Sequence, residues 1–182
     1  ELSKLLVTFK GNMEAPVLSA ELNTNTLKYR ESDIGVINAR VNYEKDEAKA
    51  NVKFQNAENK GDLVITASIP YKNPLTGDTT QLAEISNSPV DINFKANDFL
   101  LDYFSVLVSQ IASLRGVLNA DLSAKGTASD PALTGSLKIT EGAYLLPLTG
   151  MDYRFEASMS TDNFKLVLDN LKLYNEDDDS RH

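Results

Sequence analysis

The 182-residue chain has no cysteine and no tryptophan, and its one histidine is the last residue, His182. Lack of cysteine excludes disulfides, thiolate metal sites and thiol nucleophiles, and leaves the redox compartment undetermined. Nucleophile–histidine chemistry would have to run through that terminal histidine, and no Gly-x-Ser-x-Gly elbow is present. Positive charge is also scarce, with 18 Lys and Arg against 26 Asp and Glu. The resulting net charge of −8 argues against a nucleic-acid backbone or an anionic lipid surface as the main partner, and leaves neutral or apolar partners open. The start at Glu1 shows neither a basic n-region nor an apolar h-region, so a signal peptide and a membrane anchor are both missing from this stretch. The polar run from Asn175 to His182 has nothing to bury and is expected to be a disordered acidic tail. Both ends fit a piece of something longer.

What the chain does have is a repeat. Lys10-Gly11-Asn12-Met13-Glu14-Ala15-Pro16-Val17-Leu18 returns 115 positions later as Lys125-Gly126-Thr127-Ala128-Ser129-Asp130-Pro131-Ala132-Leu133. The match runs without a gap through Tyr29/Tyr144 to Gly35/Gly150, with seven identities in 26 residues. The shared residues are turn formers and alternating apolar positions, so the repeat describes a structural unit and no chemistry.

Elsewhere apolar and polar residues alternate, the period of strands that bury one face. Leu5, Val7 and Phe9 share a face, as do Ile37, Ala39, Val41 and Tyr43, then Ala48, Ala50, Val52 and Phe54. Leu63, Ile65, Ala67 and Ile69 follow, then Val90, Ile92, Phe94 and Ala96, and after a break Leu118, Ala120, Leu122 and Ala124. Leu133, Leu137 and Ile139, then Tyr153, Phe155, Ala157 and Met159, then Phe164, Leu166 and Leu168 continue the pattern, and a short Leu171, Leu173 pair ends it. Turn formers separate these runs, as at Asn56 to Gly61, Asn73-Pro74 and Ser129-Asp130-Pro131. About a dozen half-buried strands make an antiparallel meander with one apolar face, which a sandwich, a closed barrel or a bent trough would each satisfy.

One stretch breaks the period. From Asn97 to Arg115, Leu100, Phe104, Leu107, Val108, Ile111 and Leu114 recur at helical spacing, which predicts an amphipathic helix over about 98–114, packed on the sheet and ended by Gly116. Polar residues interrupt it too often for a membrane span, and its polar side lacks the cations of a membrane-surface helix. The chain then divides into a β-section over 1–96 with the degenerate repeat copy, the helix over 97–115, a second β-section over 116–174 and the tail at 175–182.

No catalytic constellation can be assembled. Lys125-Gly126-Thr127 reverses the Gly-Lys-Thr order of a phosphate-binding loop and lacks its preceding glycines. Asp62, Asp91, Asp121 and Asp152 lie in turns or at outward strand positions, where a solvated acid is the plain reading. No metal, cofactor or enzymatic activity is expected.

The second repeat copy is more specific. Gly126-Thr127, Asp130-Pro131, then Leu133-x-Gly135-x-Leu137-x-Ile139-x-x-Gly142, followed by Gly150 and Tyr153, resembles the signature of the TamB family. That family, the translocation and assembly module proteins, lies in the wider AsmA-like and bridge-like lipid-transfer group. The lead-in Leu114-Arg115-Gly116-Val117-Leu118 fits as well, so the resemblance spans roughly Phe99 to Leu173. The first copy departs from it, with Asn12, Ala20 and Leu27 in place of Thr127, Gly135 and Gly142. Bland explanations exist for each residue taken alone, since Gly11, Pro16, Gly35, Gly126, Pro131, Gly142 and Gly150 suit turns and Gly135 eases a strand bend.

The resemblance implies an elongated antiparallel sheet coiled into an open half-pipe, the β-taco, with an apolar interior. It implies a periplasmic bridge of a Gram-negative bacterium, with an inner-membrane anchor elsewhere in the full-length protein and an outer-membrane barrel of the TamA type as partner. The bridge would carry phospholipid and support outer-membrane protein assembly. The groove would be lined by Leu63, Ile65, Ile69, Ile92, Phe94, Leu118, Leu122, Leu133, Leu137, Ile139, Phe155, Phe164, Leu166 and Leu168, against which acyl chains would pack. Two other readings stand beside it: a β-scaffold that templates barrel strands or aids secretion by edge pairing without conducting lipid, and a plain sandwich with a binding role. Edge-mediated self-association is expected of the isolated piece.

Overall fold

The computed structural model describes residues 2–29, 31–58, 61–72, 75, 86–103, 114–146, 150–162 and 164–175. Their alternating stretches form strands β1 (Leu2–Gly11), β2 (Pro16–Thr24), β3 (Leu27–Tyr29), β4 (Ser32–Glu44), β5 (Glu47–Asn56), β6 (Asp62–Pro70), β7 (Pro89–Leu100), β8 (Leu114–Thr127), β9 (Asp130–Leu146), β10 (Met151–Asp162) and β11 (Lys165–Asn175). All belong to one antiparallel sheet in the order β1-β2-β4-β5-β6-β7-β8-β9-β10-β11, with the short β3 paired to β4. Each strand thus lies beside its sequence neighbour, the cheapest way to satisfy backbone amides in a chain of alternating pattern. The sheet has two free edges, β1 and β11, so it is open and not a barrel.

The repeat is a hairpin. Gly11 faces Pro16 and Lys10 faces Val17 in the first copy, as Gly126 faces Pro131 and Lys125 faces Ala132 in the second. Farther along, Val7 opposes Ala20 and Leu122 opposes Gly135, again in the same register. Gly11 and Gly126 both hold positive φ, 83° and 122°, which favours glycine at the end of each outgoing strand. Past the hairpin the copies diverge in space although the sequence match runs on. Tyr29 opposes Ser32, whereas Tyr144 opposes Tyr153; β9 runs unbroken to Leu146, while its counterpart in the first copy is split at Asn25 and Thr26 into β2 and β3.

The expected helix over 98–114 is corrected where it is described. Asn97–Leu100 complete β7, Leu101–Tyr103 form a single 3-10 turn, and Leu114 opens β8. Among the described residues there is no α-helix; Phe104, Leu107, Val108 and Ile111 lie outside them. Pairing overrides the helical spacing: Phe99 opposes Leu118 and Leu100 opposes Val117, and a bulge between Ala96 and Phe99 absorbs the extra residue. Asp98 supplies it at φ 46°, its amide donating to Asn119 Oδ1 at 3.0 Å while Asn119 Nδ2 donates to Asp98 Oδ1 at 3.1 Å.

The densest packing lies where β5 ends, β6 begins, β7 ends and β8 begins. Ile34, Phe54, Leu63, Ala96, Phe99, Leu101, Tyr103, Leu118 and Ala120 form one buried cluster there. Phe54, Phe99 and Tyr103 meet edge to face, with ring centroids 5.4 to 6.3 Å apart. Phe54 and Phe99 belong to strands separated by β6, so the rings close over that end of the sheet.

Candidate functional site: one apolar face across the sheet

Cross-strand partners project to the same face, so the register strings side chains into lateral rows. One row reads Leu5, Leu22, Ala39, Val52, Ile65, Phe94, Leu122, Gly135. Beside it run Val7, Ala20, Val41, Ala50, Ala67, Ile92, Ala124, Leu133. On its other side run Ile37, Phe54, Leu63, Ala96, Ala120, Leu137, Met159, Leu168. A fourth row joins Phe99, Leu118, Ile139, Ala157 and Leu171. The first two rows run from β1 to β9, the third from β4 to β11 and the fourth from β7 to β11, so together they carry apolar side chains across the sheet.

Thirteen of the fourteen residues proposed for the groove take places on this face. Leu63 and Leu118 are buried in the cluster, while Ile65, Phe94, Leu137 and Ile139 are half-buried and packed against it. Ile69 lies in a row with Phe9, Leu18, Tyr43 and Ala48, and Phe155 sits between Gly142 and Leu173. Leu166, opposite Thr161, and Leu168 stand nearly half exposed on β11. Phe164 is outside the ladder, at the β10–β11 turn with φ 61° and 61% exposed. Of the glycines and prolines, Gly11, Pro16, Gly126 and Pro131 flank hairpin turns, Gly150 precedes β10, and Gly35, Gly135 and Gly142 lie inside strands. Alternation alone missed the lid over this face. Phe99, Leu101 and Tyr103 alternate too, but the helical spacing of their neighbours masked it.

The face is covered at the cluster and open at both edges. Phe99 is 1% exposed, whereas Leu5, Val7 and Phe9 on β1 and Leu171 and Leu173 on β11 are about half to two-thirds exposed. Val41, in the body of the sheet, is 45% exposed. On this face the Tyr43 hydroxyl is satisfied, donating to Asp46 Oδ1 at 2.9 Å. Burial, then that hydrogen bond to the carboxylate, pushes the phenol up to about 12, so it stays a neutral donor.

The opposite face carries the charge, paired between neighbouring strands. Arg40 meets Glu21 at 2.9 Å, and Lys172 meets Glu156 at 3.5 Å. The four aspartates read as solvated each take a cation: Asp62 with Lys53 at 2.7 Å, Asp91 with Lys125 at 3.4 Å, Asp121 with Lys95 at 3.0 Å and Asp152 with Arg115 at 3.3 Å. Lys53, then the amide of Asn97, holds the Asp62 carboxyl below the usual carboxylate range. Pairs this exposed fix register more than they stabilise. A cavity of about 520 Å³ on this side is lined by Arg115, Glu141, Asp152, Arg154 and Tyr174 among others, and burial raises the Asp102 carboxyl at its margin. Among the described residues no group of acids and histidines is placed to hold a metal ion, and no helix is long and apolar enough to cross a membrane.

An open antiparallel sheet with one continuous apolar face and one ion-paired face defines a class of β-protein built to present a long greasy surface. The family model of the TamB C-terminal domain matches residues 6–144, most of the chain and β1 through β9, and the chain belongs to the TamB family. The match takes in the first repeat copy and the middle strands, which the motif-borne resemblance left out. No curated protein and no solved structure matches the chain.

Proposed function

We propose that the chain is a section of a TamB-like bridge across the periplasm of a Gram-negative bacterium, whose apolar sheet face carries phospholipid between the inner and outer membranes. In this reading the sheet coils into an open half-pipe, and acyl chains pack against Ile65, Phe94, Leu122, Leu133, Leu166 and Leu168 while headgroups stay in water at its margin. Each methylene so covered is stabilised by about 0.8 kcal/mol, and no charge is needed inside. The full-length protein is anchored in the inner membrane and works with an outer-membrane barrel of the TamA type in barrel assembly. Neither catalysis nor a cofactor has a part in it. The observation that carries the reading is the unbroken apolar row from Leu5 to Gly135, with solvent-exposed apolar positions at both edges.

The test is lipid extraction from the chain purified out of a bacterial host, beside Val41→Asp and Leu168→Asp. Both side chains are 45% exposed or more, so the variants keep the fold, as circular dichroism will confirm. Phospholipid on the parent and a severalfold loss on both variants is the expected result. A parent that carries none and ignores added phospholipid refutes conduction. It would leave the edge-pairing scaffold as the reading.

A further inference from the structure

The cavity on the charged face lies where side chains are missing from two neighbouring strands. Gly116 of β8 faces the inserted pair Glu141 and Gly142 of β9, and a Cβ on Gly116 would lie 3.0 Å from the Cα of Gly142. With these glycines and Ala143 in its lining, a volume of about 520 Å³ stays open, a size that suits a small ligand. Arg115, Ala143, Arg154 and Tyr174 form one lateral row across β8 to β11. Two guanidinium side chains therefore flank the methyl group of Ala143, from Cα atoms roughly 10 Å apart. Among the described residues, Arg115 gives one N–H of its fork to Asp152 at 3.3 Å. Carboxylates also come from Glu141, in the β9 bulge, and from Asp102, just past β7.

We propose that this cavity binds a small zwitterion, an amine-bearing phosphate ester, with its phosphate over Ala143 between Arg115 and Arg154 and its ammonium toward Glu141 and Asp102. Charge selects this class. Two arginines face three acids in the lining, so the cavity has no surplus positive charge for a simple anion, and a ligand that brings its own cation is balanced there. A phosphate presents oxygens on several sides and can accept from both guanidinium forks at once. Burial outweighs the pull of Arg115 at Asp102 and raises its carboxyl, which favours an ammonium beside it. Free and lipid-borne esters share this chemistry. The cavity lies on the face away from the apolar rows, so the site stands whether or not those rows carry lipid.

The intact 182-residue chain is titrated by calorimetry with glycerophosphorylethanolamine, with inorganic phosphate and ethanolamine separately, and with a short-chain phosphatidylethanolamine kept below micelle formation. Saturable binding of the ester is expected, with phosphate or ethanolamine alone at least about tenfold weaker. Hydrogen exchange should slow at Arg115–Val117 and Glu141–Ala143. Arg154→Lys, which keeps the charge and loses the fork, and the exposed Glu141→Gln should each weaken the ester about fivefold or more. Lys49→Gln, far along the same face, should leave it unchanged, and circular dichroism checks the fold of each variant. A lipid that binds severalfold tighter than the ester, with the same loss in Arg154→Lys, assigns the source to a membrane; equal affinity assigns it to a soluble ester. The proposal fails if the ester does not bind, if inorganic phosphate binds as well (an adventitious ion only), or if neither variant weakens it. It fails too if the lipid alone binds and Val41→Asp abolishes that binding while Arg154→Lys keeps it, because the lipid then sits on the apolar face.

Discussion

Phe99→Ala and Leu171→Ala test whether stability is concentrated where the rings close over the sheet. Both residues sit in one lateral row, on β7 and β11, with Leu118, Ile139 and Ala157 between them. They differ in cover: Phe99 is 1% exposed and Leu171 is 48% exposed. Removing the Phe99 ring deletes its edge contacts with Phe54 and Tyr103 and leaves a cavity under Leu101, at a cost of about 3 to 5 kcal/mol. Truncating Leu171 gives up packing it only half makes, about 1 kcal/mol or less. Domains of ordinary stability hold roughly 5 to 15 kcal/mol, so the first change consumes a large fraction and the second a small one. In urea unfolding followed by far-ultraviolet circular dichroism, with a slope on the order of 2 kcal/mol/M, Phe99→Ala should lower the midpoint by about 2 M. Leu171→Ala should lower it by less than about 0.5 M. Equal losses would refute the idea that the face has a closed core and open edges.

Two further outcomes follow from the backbone and from charge. Gly135→Val should open the β8–β9 ladder, because Gly135 holds φ 121° and a Cβ there runs into the carbonyl oxygen of Asp121; faster hydrogen exchange at Asp121–Leu122 with a loss above about 2 kcal/mol is expected, and unchanged protection would refute it. Asp62 has a folded-state pKa below its unfolded value of 3.8, so its contribution is present above that pH and is lost as pH falls through the lower folded value. Asp62→Asn should therefore lower stability by about 1 kcal/mol or less at pH 7, with the gap to the parent closing below about pH 4 in urea titrations, and a constant gap down to pH 2 would refute the linkage.

Much of the sheet was legible because every strand interior repeats apolar and polar positions, and the rows follow once neighbours pair in sequence order. Misreadings fell where that spacing lengthens. Ala96 to Phe99, Ile139 to Gly142 and Leu168 to Leu171 are steps of three within strands, and each is a bulge with one extra residue. A step of three also belongs to a helix, so the first was absorbed into a helical pattern. The last made Leu171 and Leu173 look like a separate short pair. The lid was hidden for a related reason: Phe99, Leu101 and Tyr103 face the core only after the bulge at Asp98 has reset the phase. The partner of each strand needed no long-range guess, since the meander pairs neighbours; the overlap of Phe54 with Tyr103 across β6 had no local signal.

The bulges also explain how a face continuous in sequence becomes uneven in exposure. A slip of one residue would turn every apolar side chain of a strand to the polar side, so an inserted residue has to be absorbed locally. Asp98 and Glu141 do so at φ 46° and 53°, and Gly116, opposite the second insertion, lets β8 approach β9 until a Cβ would lie 3.0 Å from the Cα of Gly142. Each bulge bends its strand and sharpens the local twist. Two of them fall at the end of β7–β9 where Phe99, Leu101, Tyr103 and Leu118 are packed, so the bend draws the face over itself there. At the opposite strand ends the Gly11–Pro16 and Gly126–Pro131 hairpins keep a regular ladder, with Val7 and Phe9 exposed on β1 while Tyr43 and Val90 are buried. The repeat therefore keeps the element that sets register, and the bulges at Asp98 and Glu141, which have no counterpart at the matching positions of the first copy, shape the end that the aromatic cluster closes.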